Sequence, residues 1–300
     1  MNLQIVTDST SDIPADVLSR LPITQVPLYI MMEGQSYRDN LDLTREDFYK
    51  SLPTADPLPT TAAPSPEQFM GVYDQLADEG AEAIFSIHIS ETLSAVFQSV
   101  RTAAEQYTRI PVHAIDSGTL SLAEGLIAIT AAEAIVEGKS EAEILELINA
   151  LIPRAHAYAK LDTIDYLKKG GRMSSIQHSV VSILGIKPIL KMSNHVSRME
   201  IARTKTKAFE KVLHTAEEKI PYAEKFGITH AAVPDQVDTL IRKLKTLFPS
   251  MPEPLVSEVT PALGTHVGPG ALCINWIESK AYADSEKKGW RQWLSEVTQG

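Results

Sequence analysis

The sequence predicts an α/β protein of two domains. The N-terminal domain is expected to hold a mostly parallel sheet flanked by helices, and the smaller C-terminal α/β domain a mixed or antiparallel sheet. In the first half, short apolar runs alternate with helical patterns, which is typical of parallel strands joined by helices. In the second half, short connections between neighbouring strands favour antiparallel pairing. Because 300 residues can bury two cores, we predict domains 1–152 and 153–300 with a ligand cleft between them.

Four strands are predicted in the first half. They are Gln4–Thr7, Thr24–Ile30, Ala83–Ile89 and Pro111–Ile115. Pro27 lies within the second of them and indicates an edge strand or a bulge, since proline cannot donate to the ladder. Between the third and fourth strands, Leu93–Tyr107 has apolar residues at helical spacing and is predicted to be a helix.

Two further helices complete the predicted N-terminal domain. Ser121–Val136 is apolar on nearly every side, so we expect it to be packed between layers and not on the surface. The amphipathic helix Glu141–Leu151 follows and ends the domain.

The predicted C-terminal domain opens with an irregular stretch in which Gly170 and Gly171 mark a turn. The elements expected after it are strands Pro188–Met192 and Arg198–Lys205, helix Lys207–Lys219, strand Gly227–Val233, helix Asp235–Leu247, and strands Leu255–Val259 and Gly270–Ile277.

Charge and composition exclude several function classes. The net charge of −10 argues against general affinity for nucleic acid. Residues 154–225 nevertheless hold fourteen Lys and Arg against seven Asp and Glu, a local +7, which is either a docking face for an acidic partner or phosphate, or a solvated surface. The sequence contains no Walker or Gly-x-Gly-x-x-Gly motif, and its eight histidines are scattered, so we expect neither a cofactor nor a metal site.

The expected location is the cytoplasm, with no stable membrane insertion. The N-terminal sequence enters a strand pattern without the features of a signal peptide, and no apolar stretch approaches the roughly 20 residues that span a bilayer. The single cysteine, Cys273, has apolar neighbours and is interpreted as a buried thiol in a reducing compartment.

Four local features could carry a binding site. Ser94 lies at the start of a predicted helix, where it could cap the helix or donate to an anion. Thr61 lies in a proline-rich loop, Ser51–Gln68, which could be a stiff platform for a hydroxyl or a plain connector. His266 lies in a glycine-rich loop before the last strand, and Arg172 follows Gly170-Gly171; each could contact an oxyanion or be structural.

In combination these stretches resemble the DegV family of fatty-acid-binding proteins. The segments that carry the resemblance are Val6-Thr7-Asp8-Ser9, Thr61-Ala62-Ala63-Pro64-Ser65, Ile89-Ser90 through Leu93-Ser94 to Gln98-Ser99, Asp116-Ser117, Lys169-Gly170-Gly171-Arg172 and Gly264-Thr265-His266-Val267-Gly268-Pro269-Gly270. They span nearly the whole chain, and their order and spacing are specific together.

The resemblance implies that the protein is a non-catalytic carrier of a long-chain fatty acid such as palmitate or oleate. It places the carboxylate on Thr61 and Ser94, with His266 in the same polar network. It also implies that Arg172 serves an encounter with a separate dihydroxyacetone-kinase-like fatty acid kinase, which phosphorylates the presented carboxylate. Secondary contacts expected near the head group are Asp8, Ser9, Ser117, Gly170 and Gly171.

Two departures from the family pattern lie beside these residues. The family often has Thr-Ser-Gln-Pro where this chain has Thr61-Ala62-Ala63-Pro64, and Ser-Gly-Thr-Tyr where it has Ser94-Ala95-Val96-Phe97. Both departures leave the two hydroxyls in place, so we expect them to affect chain-length preference and kinase compatibility more than binding.

Two other functions stay open at this point. Ser94 and His266, oriented by Asp8 or Asp116, could form a serine hydrolase acting on an acyl substrate, although Ser94 lacks the Gly-x-Ser-x-Gly elbow. Alternatively, the chain could be a regulatory interaction module in which the lipid only fills a core. Purified protein that bound no lipid would favour the second alternative.

Overall fold

The computed structural model describes residues 1–173 and 185–285. In these residues the strands are β1 (Leu3–Asp8), β2 (Ile23–Val26), β3 (Tyr29–Met32), β4 (Gln35–Arg38), β5 (Thr60–Ala62), β6 (Ala83–His88), β7 (Val112–Asp116), β8 (Ala155–Lys160), β9 (Lys187–Ser193), β10 (Val196–Ala202), β11 (Ala223–His230), β12 (Leu255–Glu258) and β13 (Leu272–Glu278). The α-helices are α1 (Ala15–Leu18), α2 (Arg45–Ser51), α3 (Pro66–Asp78), α4 (Val96–Gln106), α5 (Ser121–Val136), α6 (Glu141–Leu151), α7 (Asp165–Lys169), α8 (Lys205–Lys219), α9 (Pro234–Leu247) and α10 (Pro261–Val267).

The first half builds the predicted parallel sheet, with strand order β2-β1-β6-β7. All three pairings are parallel, so the carboxyl ends of β1, β6 and β7 lie at one edge of the sheet. This edge is where ligands gather in open α/β sheets. The loops that leave it include the segment with Ser94, which follows β6.

One predicted strand, Thr24–Ile30, is wrong as a single element. β2 ends at Val26, Pro27 interrupts the ladder, and the chain continues into β3 of a separate antiparallel sheet of order β4-β3-β5. The physical reason is that Pro27 has no N–H to donate. The next amide, that of Leu28, donates to the Ser9 hydroxyl at 3.1 Å and not to a carbonyl of a neighbouring strand.

The second half builds a six-stranded sheet of order β10-β9-β8-β13-β11-β12. Only the β11–β12 pairing is parallel, and the others are antiparallel. The expected mixed, mostly antiparallel sheet is therefore confirmed. No predicted strand corresponds to β8, because alanine, which is depleted in strands, takes every second position of Ala155–Lys160.

Helix α5 lies between the two large sheets. It packs on β1 on one side and on β8, β11 and β13 on the other, and almost all of its side chains are buried. The prediction of a helix packed between layers is confirmed. A hydrophobic cluster shared by both halves runs from Leu28 and Phe48 to Val259 and Leu263. The division into domains at residue 152 stays a prediction.

Candidate functional site

A cavity lies between the loops at the carboxyl edge of the parallel sheet and the face of the six-stranded sheet. Its walls take apolar side chains from both halves of the chain, among them Leu28, Ile89, Leu120, Ala159, Leu190 and Leu263. The space between the walls, counted to the open mouth, is about 1010 Å³. A mostly apolar lining with a few polar groups is typical of small-molecule sites.

Small side chains on the six-stranded sheet leave room for this cavity. The register places the small residues Thr229, Cys273 and Ala159 side by side across three strands, and all three belong to the wall. Burial raises the pKa of the Cys273 thiol to about 12, so it stays protonated at neutral pH. The interpretation of Cys273 as a buried thiol is confirmed.

Thr61 and His266 meet at one end of the cavity, with the Thr61 hydroxyl 2.9 Å from Nε2 of His266. Thr61 lies on strand β5, where it pairs with Ile30 of β3, and not in an unpaired extended loop as predicted. Because strand β5 fixes the backbone of Thr61, its hydroxyl has a defined position on the wall.

The prediction of His266 in a glycine loop is also wrong, since His266 lies in the last turn of helix α10. Pro261 at the first helical position favours this helix, and the Gly264 amide donates to the Thr260 carbonyl at 2.8 Å. Gly264 allows close packing, because a Cβ there would lie 2.7 Å from the Phe48 ring.

The imidazole of His266 is neutral at physiological pH. Burial, with a smaller contribution from the nearby Arg172 charge, lowers the pKa of His266 to about 4. Its Nδ1 is buried and has no hydrogen-bond partner among the described residues. Since an unpaired buried N–H is rare, we assign the proton to Nε2, which then donates to the Thr61 hydroxyl. The hydrogen of the Thr61 hydroxyl is left free to donate to an anion.

Ser94 lies two residues before helix α4, so the predicted helix start at Leu93 is wrong by three residues. The amides of Leu93 and Ser94 both donate to the Ser90 carbonyl, at 3.0 and 3.2 Å, and form a turn that delays the helix. The Ser94 hydroxyl accepts from the Val96 amide at 3.3 Å. Like Thr61, it therefore accepts from the protein and keeps its own hydrogen for donation to a ligand.

Arg172 lies where the cavity opens to the surface. Its Nη1 donates to the Gly170 carbonyl at 2.8 Å. Arg172, Ser94 and Leu93 belong both to the cavity wall and to an outer groove that also includes Gly171. Gly170 is needed for close approach, because a Cβ there would lie 2.5 Å from Nδ1 of His266. The part of the wall that includes Ser94 and Arg172 thus faces this groove.

Three predicted secondary contacts instead hold the loops together. Asp8 accepts from the Thr10 and Ile89 amides at 2.9 and 3.3 Å. The Ser9 hydroxyl accepts from Leu28, and the Ser117 hydroxyl accepts from the Thr119 amide at 3.3 Å. All three side chains are buried, and the described cavity wall does not include them.

The sequence predictions missed four hydroxyl residues of the described wall, namely Thr10, Ser121, Ser197 and Thr229. Thr10 follows β1 and Ser121 follows β7 by a few residues. Their positions beyond the carboxyl ends of parallel strands were a signal that could have found them. Thr229 lies within β11, and no local pattern distinguishes it.

The geometry does not support the serine hydrolase. Nε2 of His266 contacts Thr61 and not Ser94, and its Nδ1 has no carboxylate partner in the described chain. A Ser–His–Asp arrangement does exist at Ser86, His88 and Asp8, with distances of 2.7 and 2.9 Å. All three side chains are fully buried, and the Ser86 hydroxyl also bonds to the Tyr73 hydroxyl. No substrate could reach that serine.

Residues 1–173 and 185–285 contain neither a metal-binding cluster nor a membrane-spanning helix. No group of three or more His, Cys, Asp or Glu side chains is placed to hold a metal ion. No helix in the same residues combines the length and apolar composition needed to cross a bilayer.

Comparison with known proteins agrees with this arrangement. The family model that matches residues 2–279 is described as "Uncharacterised protein, DegV family". Protein DegV of Bacillus subtilis is 32% identical over 280 residues, which cover 92% of this chain and 99% of that protein. A DegV domain-containing protein of Listeria innocua is 33% identical over 277 residues, which cover 91% of this chain and 98% of that protein.

Solved structures show the same fold. The structure of DegV from B. subtilis, described as a fatty acid binding protein, has a TM-score of 0.85 and 31% identity, covering 93% of this chain and all of that one. A DegV family protein from Thermus thermophilus, described by its fatty acid binding, has a TM-score of 0.80 and 30% identity, with the same coverage. Since the family model and these relatives match almost the whole chain, the protein belongs to the DegV family.

Proposed function

We propose that this chain binds a long-chain fatty acid, such as palmitate or oleate, in the cavity between its two large sheets. The observation that carries the proposal is an apolar cavity whose wall includes the hydroxyls of Thr61 and Ser94, each with a hydrogen free to donate. A carboxylate is an acceptor with no hydrogen of its own, so it complements two donors. The fatty acid binding described for the B. subtilis and T. thermophilus relatives supports the same ligand.

The energetics of such a ligand are favourable. Burial of each methylene contributes about 0.8 kcal/mol, so a long tail supplies the gross affinity, which the loss of ligand freedom partly offsets. The carboxylate must be hydrogen-bonded, because an unpaired charge in an apolar cavity would be very unfavourable. Thr61 and Ser94 would provide these bonds, with the positive charge of Arg172 nearby.

In this proposal the chain is a carrier and a separate kinase carries out the chemistry. The carboxylate would lie at the end of the cavity that shares Ser94 and Arg172 with the outer groove, where a dihydroxyacetone-kinase-like fatty acid kinase could reach it. Such a carrier would work in the cytoplasm, which the single buried thiol of Cys273 fits.

Protein purified from bacteria under native conditions is expected to carry one C14–C18 fatty acid per chain, because burial of a long apolar tail makes release into water unfavourable. Denaturing extraction followed by mass spectrometry measures the acid and its stoichiometry. An unrelated protein of similar size, purified in parallel, controls for lipid carried over from the lysate. If the extract held no stoichiometric fatty acid and the purified protein did not bind added fatty acid, this proposal would be wrong. The alternative of a regulatory interaction module would then be favoured.

Arg172→Ala is expected to leave palmitate affinity unchanged within about twofold while it slows phosphorylation of bound palmitate by a partner kinase at least tenfold. The physical reason is that the guanidinium lies at the groove, where it can pair with a partner or a transferred phosphate, whereas the tail supplies most of the binding. Transfer of labelled phosphate to bound palmitate is the measurement. Lys169→Ala is the matched control, because Lys169 is an exposed cation three residues away. If bound palmitate were phosphorylated at equal rates in the Arg172→Ala and Lys169→Ala proteins, Arg172 would have no specific role in the encounter with the kinase.

A further inference from the structure

A hairpin of the six-stranded sheet forms one side of the cavity. Its strands, β9 and β10, contribute Leu190, Met192 and Ser197 to the wall. Asn194 and His195 join the strands, and both have left-handed backbone angles, with φ of 46° and 65°. This combination is that of a type I′ turn, in which Asn-Gly is the favoured pair. His195 therefore occupies a position where glycine would be less strained.

The tip of this hairpin contacts the other half of the molecule. The His195 amide donates to the Gly118 carbonyl at 2.8 Å, and Nδ1 of His195 lies 3.3 Å from a carboxylate oxygen of Asp116. Gly118 lies in the loop after β7 and has a φ of 64°. A Cβ there would lie within 3.2 Å of His195, so glycine permits the approach. The strained His195 is thus held by contacts with the end of β7 and the loop after it.

Asp116 also holds the loop that carries Ser94. Its carboxylate accepts from the Glu91 amide at 3.1 Å and from the Gly118 amide at 2.8 Å. The neighbouring Ser90 amide donates to the Thr119 carbonyl at 2.9 Å. One carboxylate therefore joins the hairpin tip, the loop after β7 and the loop that leads to Ser94. The hairpin and the Ser94 loop are the parts of the wall that this carboxylate links.

We propose that the contact between His195 and Asp116 is a latch that holds the hairpin against the Ser94 loop and so limits the rate at which the ligand leaves the cavity. The proposal rests on the proposed binding of a fatty acid. His195 and Asp116 act as positioning residues, because the described cavity wall includes neither of them. Opening of the latch separates the two parts of the wall without removing any group that binds the carboxylate.

Three variants of the hairpin turn separate the latch from the turn itself. His195→Gly removes the imidazole and relieves the backbone strain, whereas Asn194→Gly relieves strain at the other turn position and keeps the latch. His195→Asn keeps a donor nitrogen at the position of Nδ1 and tolerates the left-handed backbone. Protein loaded with [14C]palmitate is chased with excess unlabelled palmitate. We expect release about threefold faster or more for His195→Gly, and wild-type rates for Asn194→Gly and His195→Asn.

Amide hydrogen exchange provides a readout that needs no lipid. In His195→Gly, the amides of Glu91 and Gly118 should exchange faster than in Asn194→Gly, because their acceptor, Asp116, has lost its partner across the cavity. If His195→Gly and Asn194→Gly released palmitate at equal rates and their amides exchanged at equal rates, the latch proposal would be wrong. The proposed binding of palmitate would not be affected by that result. If the wild type bound no palmitate, the proposed function would fail, and the amide exchange alone would support or overturn the latch.

Discussion

Replacing Thr61 with valine and Ser94 with alanine in the same chain should weaken palmitate binding by about 100-fold or more. Hydrogen bonds to charged groups contribute about 1.5–3 kcal/mol each, so loss of two is worth about 3 kcal/mol or more. Every 1.4 kcal/mol is a factor of ten in affinity. The tail contacts stay in place, and therefore residual binding should remain.

The double variant changes little besides the two donors. Valine has nearly the shape of threonine, and Thr61 lies on a strand, where a β-branched residue is favoured. Neither Thr61 nor Ser94 is fully buried, so the fold should persist. Thr61→Ser keeps the hydroxyl and should bind palmitate with affinity close to that of the wild type. These three proteins therefore distinguish loss of a donor from a change of shape.

Thr60→Val is the matched control, because Thr60 is the exposed neighbour of Thr61 on strand β5. Its side chain points away from that of Thr61, since successive residues of a strand face opposite sides. Isothermal titration with delipidated protein measures all four affinities. Unchanged affinity in a folded double variant would show that neither hydroxyl holds the carboxylate.

Local periodicity was enough to predict the elements that frame the site. Helix α6 has the predicted bounds, Glu141–Leu151, because a serine cap, an acidic first turn and amphipathic spacing all agree. The apolar character of α5 predicted its place between two layers, although not which strands it contacts. Both predictions succeed because the signal lies within one continuous segment.

The position of Thr61 in a strand could not be predicted in the same way. Strand β5 has only three residues and exists because it pairs with β3, which is about thirty residues earlier in the chain. Five prolines around it indicated an extended loop, and extended backbone without a partner is indistinguishable from a strand in sequence. His266 was misplaced for a different reason: the glycines of its segment concealed the last turn of α10.

The composition of the site came from the family resemblance, but its hydrogen-bond directions came from the structure. Thr61 and His266 are 205 positions apart in the chain, so no local pattern indicates that they touch. The lowered pKa of His266 results from burial by residues of several elements. The proton assigned to Nε2, because Nδ1 has no partner in the described chain, makes His266 the donor to Thr61 and leaves the Thr61 hydrogen free for a ligand.

The free energy of unfolding of Asp12→Asn protein, taken relative to that of the wild type, should be about 4 kcal/mol higher at pH 8 than at pH 4. Asp12 is fully buried; its carboxylate contacts the Ser121 hydroxyl at 2.6 Å and accepts from the Thr260 amide at 2.8 Å. Burial raises the pKa of Asp12 from 3.8 to about 7. Each step of one in pKa corresponds to about 1.36 kcal/mol, which gives the expected magnitude.

The direction of the effect follows from proton binding in the two states. Between pH 3.8 and about 7, folded Asp12 holds a proton that the unfolded chain has lost. The stability contributed by this protonated carboxyl is therefore fully present below pH 3.8 and is lost as pH rises to about 7. Asparagine keeps a donor toward Ser121 and an acceptor toward Thr260, tolerates the left-handed backbone of Asp12, and has no proton to lose.

Urea unfolding of both proteins at a series of pH values from 4 to 8 measures this difference. Subtracting one curve from the other removes the effects of buried groups that do not interact with Asp12, such as His266, whose pKa of about 4 gives an effect of opposite sign. Asp42→Asn is the control, because the Arg38 guanidinium holds the pKa of Asp42 at about 2, outside this range. Its curve should run parallel to that of the wild type. A parallel curve for Asp12→Asn would mean that Asp12 ionises alike in the folded and unfolded chain.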